Sequence, residues 1–98
     1  MAGPSEEVLL VMVSLTSGPK HGYAIADDIE AFAGRRLGAG TLYGAIARLE
    51  GRGLIQALAG DARRRPYRLT PLGASALRDV ISRSNRLGAV ARRRLAMR

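Results

Sequence analysis

Gly40-Thr41-Leu42-Tyr43-Gly44-Ala45-Ile46-Ala47-Arg48-Leu49-Glu50-Gly51-Arg52-Gly53-Leu54-Ile55 is the stretch on which the fold of this chain turns. Leu42, Ile46 and Leu49 recur at i, i+4 and i+7, which predicts a helix from about Thr41 to Gly53 with one buried stripe. At about 100° per residue, Gly44, Ala47, Arg48 and Gly51 fall on roughly the opposite side. A short helix with a greasy face, a small-residue face and two arginines is laid out to enter a DNA groove. Each interior glycine costs about 1 kcal/mol against alanine. Close approach of another body to the backbone is a reason to keep both.

Upstream, Ser5 caps a helix predicted to run to about Leu15, with Glu6 and Glu7 in the first turn, where the helix dipole favours acids. Val8, Leu9, Met12 and Leu15 form its expected buried face. Gly18-Pro19 stops it. A second helix follows from about Gly22 to Ala33, with Ile25, Ile29 and Phe32 at helical spacing, Asp27, Asp28 and Glu30 outward, and Gly34 as its C-terminal stop.

Downstream of Gly53 the pattern breaks into short runs. Leu54 to Leu58 and Pro66 to Thr70 predict a β-hairpin with Arg63, Arg64 and Arg65 at its tip. Tyr67 and Leu69 alternate with Arg68 as in a half-buried strand, and Pro66 makes that strand an edge or marks its first residue. Taken alone, the arginine run reads equally as a solvated loop or as a phosphate contact. Thr70-Pro71 is a threonine cap with proline at the first helical position. From there one helix can run to the C-terminus. Leu77, Val80, Ser84, Leu87, Ala91 and Leu95 make a spaced stripe beside Ile81 and Gly88, longer than a three-helix core covers, so its expected partner is a second copy, the alternative for the distal half being its own domain.

Charge follows the same division. The chain has 98 residues, with 16 Lys+Arg against 8 Asp+Glu. Lys20 is the one basic residue before position 35, against five acids (Glu6, Glu7, Asp27, Asp28, Glu30), whereas the remainder carries fifteen arginines and three acids. A polyanion-binding face in the second part is the implication, nucleic acid or an anionic membrane surface. Cysteine is absent and His21 is the only histidine, so disulfides and thiolate metal sites are excluded and a zinc site is not expected. The acidic start ahead of the short apolar run Val8 to Val13 is unlike a signal peptide, and no segment nears the roughly 18 apolar residues of a membrane span. A cytoplasmic protein without cofactors is expected.

Helix, helix, helix, hairpin, helix is a mainly α winged helix-turn-helix plan: residues 1–70 as the winged-helix DNA-binding part, 71–98 as a long C-terminal dimerisation helix. In that plan the third helix lies in the major groove and the basic hairpin reaches phosphates or the neighbouring minor groove. Arg48 is the choice for base readout, because its fork can pair bidentately with guanine. Arg52 suits the helix C-terminus, and His21 is read as structural at the start of the second helix.

Gly18-Pro19-Lys20-His21-Gly22-Tyr23-Ala24-Ile25, then Gly40 to Tyr43 with Leu49 to Ile55, and finally Arg65-Pro66-Tyr67-Arg68-Leu69-Thr70-Pro71-Leu72-Gly73 closely resemble the PadR family of transcriptional regulators. The resemblance implies a homodimeric repressor on double-stranded DNA, at a palindromic operator, released by a small-molecule effector or another signal. The short tail after Leu72 is similar to the compact form with one C-terminal helix. The DNA-contacting set is then Tyr23, Thr41, Leu42, Tyr43, Gly44, Ala47, Arg48, Arg63, Arg64 and Arg65, and the dimerisation set Leu77, Val80, Ile81, Ser84, Leu87 and Ala91. By the resemblance Tyr23 and Tyr43 contact phosphates and Thr41 a base or the backbone. Tyr43 equally suits a core ring with its hydroxyl at the rim. Two positions depart from the family: Gly44 replaces the usual proline, loosening the helix start, and Gly40 replaces a frequent serine, a weaker cap.

Outside that class, a winged-helix module can bind RNA or an acidic protein. The small face of the third helix offers few of the aromatic anchors such interfaces favour. No nucleophile with a base, no paired carboxylates and no phosphate loop stand in the chain, so an enzyme is not expected. Tyr23, Phe32, Tyr43 and Tyr67 are the aromatics and none lies on the final helix. An aliphatic effector pocket, or no direct ligand, therefore stays open.

Overall fold

The computed structural model describes residues 5–61 and 64–98. Elements follow in the order α1 (Glu6–Leu15), α2 (Gly22–Ala33), α3 (Ala39–Gly51), β1 (Ile55–Ala57), β2 (Tyr67–Leu69) and α4 (Pro71–Ala96). Four helices and one two-stranded antiparallel sheet make the winged helix-turn-helix plan.

α1 is the central element. Its N-cap is Ser5, whose side chain accepts a 3.3 Å hydrogen bond from the Val8 N–H. It packs against α2, α3, β2 and α4, so more than one face is covered: Val11 is fully buried with Val8, Met12 and Leu15, while the expected core residue Leu9 is half-buried. α2 begins at His21, whose Nδ1 accepts from the Ala24 N–H at 3.5 Å, and ends at Gly34 in the left-handed conformation. Ile25 and Ile29 are in the core, but Phe32 is 46% exposed, because only the first turns of α2 are covered by neighbours.

α3 starts two residues earlier than its hydrophobic spacing indicates. Gly38 is the N-cap, extended at φ −68° and ψ 159°, and its carbonyl accepts from the Leu42 N–H at 2.9 Å. Gly40 is consequently a first-turn residue and not the cap, and Gly44 lies in the second turn, beyond the helix start that its lack of a proline was expected to loosen. The helix ends at Gly51. Gly53, at φ +72°, makes the reversal into β1 that L side chains rarely adopt.

The hairpin pairs Ile55 with Leu69, Gln56 with Arg68 and Ala57 with Tyr67. Pro66 stands just before the strand, whose first residue is Tyr67. Tyr67 then exchanges backbone bonds with Lys20 at 2.9 and 3.1 Å, tying the wing to the turn before α2. At the other end of β2, the Thr70 side chain accepts from the Gly73 N–H at 3.0 Å, capping α4, and its hydroxyl donates to the Gly53 carbonyl at 2.7 Å. Gly73 lets the first turn of α4 sit on the Leu54 carbonyl, where a Cβ would collide with that oxygen. α4 is continuous through Gly88 for 26 residues, and its last buried residue is Leu77. Its distal half therefore extends a molecule measuring 56 × 27 × 24 Å.

Candidate nucleic-acid interface

Burial divides α3 into two faces. Leu42, Ala45, Ile46 and Leu49 are in the core, while Gly40, Thr41, Gly44, Ala47, Arg48, Gly51 and Arg52 are exposed. Nothing lies within 4 Å of a Cβ built on Gly40, Gly44 or Gly51, so these glycines are not needed for packing within the chain. Leu42 is only 3% exposed; its side chain anchors the helix and points away from the outer face.

The two tyrosines differ. Tyr23 is 70% exposed on the first turn of α2, whereas Tyr43 is 45% exposed. The Tyr43 ring lies over Gly22, where a Cβ would strike its hydroxyl and ring carbons. Gly22 thus sets the approach of α2 to α3. The tyrosines flank a cleft of about 290 Å³, floored by Ala26, Leu37 and Leu42 with Arg36 at its edge.

Ion pairing sorts the cations. Arg36 donates to Asp27 at 2.7 Å and to Glu30 at 3.4 Å, which raises its pKa, the Asp27 hydrogen bond contributing most. Arg35 bridges Glu6 at 3.1 Å and Glu7 at 3.4 Å. The Glu7 carboxyl titrates below its usual range, held there by a backbone hydrogen bond and then by Arg35. Lys20 bonds to the Ser14 carbonyl and the Ser17 hydroxyl and stands 3.9 Å from Asp28. The acidic first third therefore engages the nearest cations. Among the described residues the Arg48, Arg52 and Arg65 side chains make no hydrogen bond or ion pair, and the Arg64 contacts to Asp61 run through its backbone N–H.

On the wing, Arg64 and Arg65 are exposed, and Arg63 lies outside the described residues. Sequence reading did not single out Arg68, whose guanidinium donates twice to the Gln56 oxygen, at 2.9 and 2.6 Å, across the strand pair. Only the register that puts these two side by side makes the pair visible. On α4, Val80 is half-buried and Ile81, Ser84, Leu87 and Ala91 are exposed, while Leu77 belongs to the chain's own core at 5% exposure.

An outward third helix joined through one turn to a basic hairpin defines the winged helix-turn-helix class of DNA-binding proteins. The family model "Transcriptional regulator PadR-like family" matches residues 9–79. A PadR family transcription regulator from Clostridium difficile is 25% identical, with TM-score 0.81, over 93% of this chain and 99% of that one. Another, from Eggerthella lenta, is 33% identical, with TM-score 0.70, over 88% and 80% of the two chains. An uncharacterized 37.1 kDa protein in transposon TN4556 of Streptomyces fradiae is 51% identical over 69 residues, which is 70% of this chain but 20% of that protein. The chain belongs to the PadR-like family of transcriptional regulators. That family is one of transcriptional regulators and not of enzymes. Among the described residues no helix is long and apolar enough to cross a membrane.

Proposed function

We propose that the protein is a homodimeric repressor that binds a palindromic operator and leaves it in response to a small molecule or another signal. Residues 1–70 bind DNA, and residues 71–98 supply the dimerisation helix. The carrying observation is the outer face of α3, where Thr41, Gly44, Ala47 and Arg48 are all exposed and Arg48 has no acidic partner among the described residues. A face so low in bulk lets the helix backbone come close to the groove floor. Arg48 then reaches guanine, and the Thr41 and Ala47 methyls suit thymine. Tyr23 and Tyr43 donate to phosphates beside α2, and Arg63, Arg64 and Arg65 follow the backbone from the wing.

Dimerisation through α4 is supported by the exposed apolar residues Ile81 and Leu87 and by the groove that Val80 and Ile81 form with Leu9 and Val13 of α1. That groove, about 250 Å³, is apolar enough to seat the distal stripe of a partner's α4.

Fluorescence anisotropy with duplex DNA from upstream of the protein's own gene tests this reading. Sequence-selective binding that weakens steeply with salt is expected. Binding that ignores sequence and barely changes with salt would overturn it. A preference for RNA or for an acidic protein over any duplex would favour an interaction module instead.

A further inference from the structure

Beyond α3 and the wing, the molecule carries a second concentration of positive charge. Residues 83–98 hold six arginines (Arg83, Arg86, Arg92, Arg93, Arg94 and Arg98) and no acid, and all six are exposed on or beside α4. The one acid of that helix is Asp79. Among the described residues the ion pairs engage Lys20, Arg35 and Arg36 alone, so none of these arginines is neutralised within the chain. Arg83 and Arg86 stand at a helical spacing where like charges repel. A polyanion on this face would relieve that repulsion.

The array is also regular. At about 100° per residue, Arg86 and Arg93 share one row on the side away from the apolar stripe, and Arg83 and Arg94 share a second row on its flank. The rows span about 16 Å along a continuous helix, and every member is arginine, whose rigid fork matches phosphate oxygens. A partner copy on the Leu87 and Ala91 stripe leaves the Arg86 and Arg93 row open, and Arg83 and Arg94 border that seam, Arg94 one heptad beyond Leu87. This surface belongs to α4, whereas the small-residue face belongs to α3.

We infer that Arg83, Arg86, Arg93 and Arg94 form a second phosphate-binding surface for double-stranded DNA, one that reads no sequence and adds to operator binding. The inference rests on the DNA-binding reading above, and the experiment separates the two. The full chain and its Arg83→Gln/Arg86→Gln/Arg93→Gln/Arg94→Gln variant are titrated by anisotropy, over a range of salt, against the upstream duplex and against a scrambled duplex of equal length. The expected result is that the variant binds both duplexes on the order of tenfold more weakly at low salt. Its log K against log salt is shallower by about 3.6, at 0.9 for each of the four lost phosphate contacts, and its preference for the upstream duplex persists. Arg→Lys changes at the same four positions retain the slope, which shows that charge and not fold was lost; circular dichroism and light scattering check helix and mass. An unchanged slope in the glutamine variant, while the wild type still selects the upstream duplex, overturns this inference alone. Failure of the wild type to select that duplex overturns the DNA reading first. Loss confined to single-stranded RNA or to phosphatidylserine vesicles, with duplex binding unchanged, assigns the surface to another polyanion and also overturns it.

Discussion

Gly44 and Gly73 are both glycines inside helices, and their surroundings demand opposite outcomes when a methyl group is added. At Gly73 the new Cβ meets the Leu54 carbonyl oxygen, a backbone atom that cannot swing aside. Gly73→Ala should destabilise the fold by about 2–3 kcal/mol, the cost of overpacking, read as a lower urea midpoint. At Gly44 the Cβ enters open space. Gly44→Ala should raise stability by about 1 kcal/mol through helix propensity and weaken operator binding, because the methyl group holds the α3 backbone away from the groove. A gain in both would contradict the close-approach role. Tyr67 gives a pH signature: burial first, then the negative charge of Glu50, raises its phenol above the ordinary value of 10.0. The unfolded chain ionises before the folded one, so stability falls as pH rises through the ordinary value. Tyr67→Phe should flatten that fall in urea titrations above pH 9.

At the scale of elements, the proposed function divides the work between α3 and the wing. Arg48→Ala should cost about 1–3 kcal/mol of operator binding and relax specificity at one base pair, whereas Arg64→Ala should weaken all duplexes alike. Equal losses of specific and scrambled binding in both variants would contradict that division. Element order and type were legible because Gly34 stops the second helix and the period changes from 3.6 to 2 at Gly53 and back at Thr70, residues with strong local preferences. The start of α3 was not legible: Gly38, Ala39 and Gly40 carry almost no side chain to mark a cap, and the helix runs back as far as backbone bonding permits. The outer face of α3 followed from spacing alone. What spacing could not supply was contact between distant segments: the seat of Tyr43 on Gly22, the Lys20 bridge to Tyr67, and the salt bridges that remove Arg35 and Arg36 from the basic surface. Leu77 lay in the same stripe as Leu87, and only the packing of α4 on α1 separates the core residue from the exposed one.

For the whole molecule, an elongated shape with the α3 face outward and α4 projecting fits the proposed pair of copies. Leu87, 72% exposed on the α4 stripe, is the position to break that pair. Leu87→Asp should sediment as a monomer with unchanged helix content and should lose operator affinity by more than tenfold, because two half-sites can no longer be held at once. A dimer of undiminished affinity would place the interface elsewhere. Hydroxyl-radical footprinting on the upstream duplex joins all three scales in one experiment. Two recognition helices related by a two-fold axis should protect two patches on one side of the duplex, centred one helical turn of about 10 bp or a multiple apart, and Arg48→Ala should erase both. Protection spread evenly along the duplex, or two patches indifferent to Arg48→Ala, would mean that the outer face of α3 does not read the DNA.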